Sequence, residues 1–299
     1  MIALRALTKR YGDTTAVDGL TLDVAAGRVT GFLGPNGSGK STTMRMVVGL
    51  DRPDSGAALV DGLTYGELRH PLRRVGALLE ATAPQPACAA RAQLLAVARD
   101  NGIPADRVEE VLATVELSDV AGKSAGQFSL GMRRRLGVAR ALLGDPEILL
   151  LDEPFSGLDP DGVRWMRRLM RSLAAEGRTV FVSGRQLSEL QPVADQLVVI
   201  GRGKLLADTP TARFLAEHAA ACVLVRLPVA KDRWELGSWL RDEGATVREH
   251  DEDALLVQGV PVEAVGEMAY GLGARLYGLA EQPVPLEQAY LDLTASAAP

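Results

Sequence analysis

The segment GPNGSGKS, Gly34 to Ser41, spaces its residues as G-x-x-x-x-G-K-[ST]. Glycines let a backbone curl until consecutive amide groups face one anion. Lys40 then brings a cation to the β- and γ-phosphates of a nucleoside triphosphate, and Ser41 a hydroxyl to Mg²⁺. Gly34, Pro35, Asn36, Gly37, Ser38 and Gly39 form the expected cradle, with Thr42 following Ser41. A second set of groups, Asp152–Glu153, closes the apolar run Ile148–Leu151. Open α/β sheets bind ligands at the carboxyl ends of their strands. Asp152 is therefore expected to hold Mg²⁺ through water, and Glu153 to polarise an attacking water as general base.

These groups need elements to hold them. VTGFLG (Val29–Gly34), EILLLDEP (Glu147–Pro154) and TVFVS (Thr179–Ser183) read as strands, and Ser41–Val48 reads as a helix directly after the loop. The LLL run is too apolar for a half-exposed strand, which predicts cover on both faces. Val108, Val111, Leu112 and Val115 make one helical stripe. The pattern is α/β, with a helix-rich insert over residues 84–144. Beyond residue 219 the rhythm changes to a smaller α+β domain, residues 220–299. Strands are predicted over Cys222–Leu227, Ala245–Glu249, Ala254–Gly259 and Ala274–Ala280, and helices over Asp232–Gly244 and Pro261–Gly273. The order β-α-β-β-α-β is ferredoxin-like. A last helix is predicted over Pro285–Ala295, with Leu286, Ala289, Tyr290 and Leu293 on one face.

Charge divides the same way. Residues 1–219 carry 27 Lys and Arg against 25 Asp and Glu, a net +2, whereas residues 220–299 carry 6 against 13, a net −7. An acidic tail argues against nucleic acid as a partner. Cys88 and Cys222 lie far apart without metal-ligand spacing, as expected of reduced thiols in a cytoplasmic protein. The start MIALRALTKRYGD lacks a long apolar stretch, so no signal peptide is expected. No run of ~18 apolar residues predicts a membrane span.

GPNGSGKST followed by FSLGMRRRLGVARALLGDPEILLLDEPFSGLDP resembles the nucleotide-binding subunit of an ATP-binding cassette (ABC) transporter, a P-loop NTPase. FSLGM occupies the place of that family's LSGGQ signature, retaining Ser129 and Gly131, and SGLDP supplies its D-loop with Asp159. Leu130 and Met132 depart from the signature and resemble the antibiotic-export branch. Tyr11 stands at the adenine-stacking position. The resemblance covers residues 1–219 closely. The C-terminal stretch is similar to the accessory domain of bacitracin- and daunorubicin-type exporters. It implies ATP and Mg²⁺ as ligands and a second copy of the chain packed head to tail. Each ATP would then lie between one copy's phosphate loop and the other's Ser129 and Gly131. A separate integral-membrane permease is implied as well, placing the chain on the inner face of the cell membrane, with cargo akin to drugs or antibiotics. Arg133–Arg135 reads as a solvated helix face.

Two positions depart from the family further. Glu80 stands where a glutamine normally touches Mg²⁺ and the membrane partner; its carboxylate can still ligate the ion, but adds negative charge beside phosphates. Arg185 stands where a switch histidine contacts the γ-phosphate. Arginine can donate to that phosphate but can accept no hydrogen bond from water. Two outcomes stay open: an ATPase of slow turnover, or a nucleotide-gated clamp with little or none. A soluble cassette acting on ribosomes or DNA is disfavoured by the single phosphate loop and the acidic tail.

Overall fold

The computed structural model describes residues 1–79, 85–218 and 221–283. Strands β1 (Ile2–Tyr11) and β2 (Thr14–Val24) pair, and β3 (Arg28–Leu33) leads through the phosphate loop into α1 (Lys40–Val47). Next come β4 (Ser55–Val60), α2 (Pro71–Arg74), β5 (Val75–Leu78), α3 (Ala90–Asp100), α4 (Asp106–Thr114) and α5 (Leu130–Leu142). Then follow β6 (Ile148–Leu151), α6 (Pro160–Ala175), β7 (Thr179–Gly184), α7 (Leu187–Leu190), β8 (Gln196–Gly201) and β9 (Lys204–Pro210). After α8 (Thr211–His218) come β10 (Ala221–Arg226), α9 (Ala230–Asp242), β11 (Thr246–Asp251), β12 (Ala254–Gln258), α10 (Val262–Gly271) and β13 (Gly278–Pro283). The chain divides into two compact units between Thr211 and Ala212, upstream of the boundary expected after residue 219.

In the first unit a six-stranded sheet runs in the order β5-β6-β7-β3-β8-β9, and a three-stranded antiparallel sheet in the order β2-β1-β4. Strands β6, β7 and β3 are parallel neighbours, so their carboxyl ends emerge side by side. These ends deliver, respectively, Asp152–Glu153, Ser183–Arg185 and the phosphate loop. All four residues of β6 and all six of β7 are buried, the two-faced cover that their unbroken apolar runs predict. The ring centroids of Phe32 and Phe181 lie 4.9 Å apart in the core. Val108, Val111 and Leu112 are buried along α4, with Val115 buried just past its end.

The β8–β9 turn braces the loop from the side. Arg202 and Gly203 both have positive φ, as a two-residue hairpin turn requires. The Gly203 amide donates to Ser38 O at 3.0 Å, and the Asp18 amide donates to Gly203 O at 2.9 Å. Helix α5 begins at Leu130, capped by the Ser129 side chain. Arg135 turns inward rather than into solvent. It donates to Val115 O and Glu116, and its guanidinium stacks 4.4 Å from the Trp165 ring. The solvated face expected for Arg133–Arg135 is thus reduced to Arg133; Arg134 is half-buried and donates to Ser156 O at 3.3 Å.

The second unit has a four-stranded antiparallel sheet in the order β11-β12-β10-β13, with element order β-α-β-β-α-β. Val223, Val225, Leu255 and Val257 pack with Leu236 and Leu240 of α9 and Val265 and Ala269 of α10. Strand β13 starts at Gly278, later than the predicted Ala274. Gly273 and Ala274 spend their amides closing α10, on Tyr270 O and Ala269 O. The helix predicted over Pro285–Ala295 lies outside the described residues.

Helix α5 can approach β5 closely because Gly76 has no side chain: a Cβ there would stand 2.0 Å from Ala141 O. Gly76→Val is expected to destabilise the first unit by about 1–3 kcal/mol, read as a lowered denaturation midpoint. An unchanged midpoint would mean that α5 is not held by this contact.

Candidate functional site

The phosphate loop depends on two near-contacts of backbone. A Cβ at Gly34 would lie 2.4 Å from Ser38 Oγ and 2.7 Å from Ile200 O. At Gly39, whose φ is +102°, it would lie 2.4 Å from Ala16 O. Gly37 also has positive φ. With side chains absent there, the loop folds tightly onto β2 and β8 before α1 begins. Tyr11, Thr14, Ala16, Asn36, Gly37, Ser38, Gly39, Lys40, Ser41, Thr42, Glu153 and Arg185 line one cleft of ≈ 430 Å³.

Inside the cradle Lys40 is only 4% exposed. Its Nζ donates to Gly34 O at 2.7 Å and Pro35 O at 3.0 Å. Burial lowers the ammonium below the usual lysine range, while the charges of Glu153 and Asp152 pull it back up. Ser38 Oγ is buried and, among the described residues, has no hydrogen-bond partner. An orphaned hydroxyl in a cleft edged by backbone amides and a lysine fits a phosphate oxygen. The donors suited to Mg²⁺ are all oxygens: the half-buried Ser41 hydroxyl and the buried Asp152 carboxylate. Among the described residues no three His, Cys, Asp or Glu side chains cluster for a metal. This donor set suits a cation that draws its remaining ligands from phosphates and water.

Ser183, which the sequence reading passed over, ties the acidic pair together. Its hydroxyl donates to Asp152 Oδ1 at 2.6 Å and accepts from the Glu153 amide at 2.8 Å. The one sequence signal was a polar residue at the carboxyl end of TVFVS, after the apolar run Val180–Val182. Glu153 has φ 45°, a left-handed conformation uncommon for a glutamate. Its carboxylate is paired with Arg185: Nε donates to Oε1 at 2.8 Å and Nη2 to Oε2. Arg185 is expected to serve a γ-phosphate; in this structure its fork pairs with Glu153.

Tyr11 is 49% exposed at the cleft edge. Its phenol donates to Asp51 Oδ2 at 2.8 Å, and Asp51 is held in turn by Arg45 Nε at 2.8 Å and Nη2 at 3.0 Å. Partial burial and the Asp51 carboxylate push the phenol above its ordinary pKa. Neither Asp51 nor Arg45 was singled out in the sequence.

Ser129, Gly131 and Asp159 do not line this cleft. Ser129 Oγ accepts from the Met132 amide at 3.2 Å, which leaves its hydroxyl hydrogen available to a further acceptor. Asp159 caps α6 by accepting from the Gly162 amide at 2.7 Å. Leu130, one of the two departures in the signature, packs on the D-loop: a Cβ at Gly157 would meet its Cδ2 at 2.2 Å. Glu80 lies outside the described residues.

Ser183→Ala removes both contacts that hold Asp152 and the Glu153 backbone. Hydrolysis of ATP at saturating nucleotide is expected to slow by roughly ten- to a hundredfold. An unchanged rate would show that Ser183 is structural only.

Comparison with known proteins identifies the family. The ABC transporter family model matches residues 17–156, and a family described as a domain of unknown function matches residues 221–287. The chain is 45% identical to the bacitracin transport ATP-binding protein BcrA of Bacillus licheniformis over 68% of each chain. It is 34% identical to the Nod factor export ATP-binding protein I of Burkholderia orbicola, covering 98% of this chain and 96% of that one. In fold it is similar to the dimeric structure of MJ0796, a bacterial ABC transporter cassette, with a TM-score of 0.65 at 23% identity over 71% of this chain and 99% of that one. Over nearly its whole length, then, the chain belongs to the ATP-binding subunits of ABC transporters, which are P-loop ATPases.

Proposed function

We propose that this ATPase powers a separate integral-membrane permease that exports drug- or antibiotic-like molecules. The observation that carries the reading is the cleft itself, in which the buried Lys40, the orphaned Ser38 hydroxyl and Glu153 converge. Two similar proteins are named for export or transport, of Nod factor and of bacitracin. No helix among the described residues is long and apolar enough to cross a membrane, so conduction would fall to another chain. The subunit would then sit at the inner face of the membrane, held there by the permease. The clamp alternative has no support among the comparisons.

In the proposed cycle, the loop amides and Lys40 bind the triphosphate while Tyr11 stacks on adenine. A second copy packs head to tail and presents Ser129 and Gly131 to the same γ-phosphate. The Ser129 hydroxyl hydrogen and the N-terminus of α5 suit that contact. The MJ0796 cassette, of the same fold, is a dimer. Ser41 and Asp152, with Glu80, would hold Mg²⁺, which when bound neutralises charge on the phosphates. Glu153 polarises the attacking water. Arg185 donates to the γ-phosphate but cannot accept from water, so turnover is slow.

Purified chain with Mg-ATP, alone or with its permease in lipid, should release phosphate, and Glu153→Gln should abolish the release. No release from the parent chain in either setting would overturn the proposal. Arg185→His is expected to raise turnover; a fall would show that arginine belongs to the working geometry of this site.

A further inference from the structure

The Arg185–Glu153 pair raises a conflict within the proposed cycle. Both carboxylate oxygens of Glu153 are already engaged by one guanidinium. A carboxylate held by a two-pronged fork has its best acceptor directions used. To take a proton from water it must give up at least one prong.

Three observations say how it could do so. First, both partners line the same cleft as the phosphate loop, and Lys40 and Arg185 are the cations among its described lining residues. An arriving triphosphate brings an anion that matches the guanidinium fork as well as a carboxylate does. Second, the pair is accessible, with side chains 49% and 21% exposed for Arg185 and Glu153. An ion pair so placed is weak enough to exchange partners. Third, the Glu153 end is fixed. Its backbone is left-handed and its amide is bonded to Ser183, whereas the arginine brings a long, half-exposed side chain to the pair.

We infer that Arg185 is a positioning residue that works as a triphosphate-operated latch on Glu153. Without nucleotide its guanidinium covers the carboxylate. A γ-phosphate in the cleft draws the guanidinium away and uncovers the base. ADP, lacking that phosphate, leaves the latch shut. The inference rests on the reading of the cleft as the ATP site. It gives the arginine a role that a neutral histidine would not share, since the latch depends on a fixed charge and a two-pronged donor.

The test compares equilibrium affinities in the full chain for ADP and for a non-hydrolysable ATP analogue, both with Mg²⁺. Four proteins are needed: the parent, Glu153→Gln, Arg185→Gln and the double variant. Glu153→Gln breaks this ion pair, and is expected to tighten the ATP analogue about fivefold while ADP changes by less than about twofold. In the Arg185→Gln background the same replacement should give no such selective tightening. Equal tightening in both backgrounds would mean mere relief of repulsion between Glu153 and phosphate, and would overturn the latch. Equal effects on ADP and the ATP analogue would overturn it too. If Arg185→Gln does not fold, Arg185→Lys replaces it; lysine keeps the charge without the fork, and a tightening well below the parent's is expected. Such a loss in the Arg185→Lys background supports the fork, whereas a response equal to the parent's overturns it. Absence of Mg²⁺-dependent binding in every variant would overturn the ATP-site reading, and the latch with it.

Discussion

The curl of the phosphate loop depends on two places where a backbone passes so close to its neighbours that no side chain fits. Gly34 lies against Ile200 O and Gly39 against Ala16 O. With the loop pressed there, the Gly203 amide reaches Ser38 O, and α1 starts with Lys40 folded back over the loop carbonyls. The sheet does the rest. Three parallel strands in adjacent positions end at one edge, so the loop, the acidic pair and Arg185 meet although they are far apart in sequence. The ligand position follows from strand order, as it does in open α/β sheets generally.

The charges in this cleft restrain one another. Lys40 is buried yet kept near two carboxylates, which offset part of the burial cost to its ammonium. Asp152 is buried and hydrogen-bonded by Ser183, which meets the requirement that a buried carboxylate be satisfied. Glu153 stands at the edge and is met by arginine. A nucleotide entering such a site would exchange partners within an ordered set of charges, a condition favourable to electrostatic preorganisation.

Much of this was legible in the sequence, and the parts that were not share a cause. The G-x-x-x-x-G-K-S spacing is local and its flanks are periodic, so the loop, β3 and α1 could be read directly. Unbroken apolar runs identified β6 and β7 as strands buried on both faces. Ser183 was not legible as a site residue, because its two partners lie 31 and 30 residues away and meet it only through strand adjacency. The partnership of Arg185 with Glu153, across 32 residues, was hidden for the same reason. Arg135 looked solvated because helical periodicity gives no sign of Trp165 across the fold. The late start of β13 reflects turn chemistry at the end of α10, where Gly273 and Ala274 close the helix before the strand begins.

The account rests on backbone amides and Lys40 gripping a triphosphate. The most direct measurement is equilibrium binding of ATP to the purified chain with and without Mg²⁺, and to Lys40→Ala. Saturable, Mg²⁺-strengthened binding that falls by at least about tenfold in the variant is the expected result. Binding that is absent from the parent chain, or unaltered by loss of the lysine, would contradict the account.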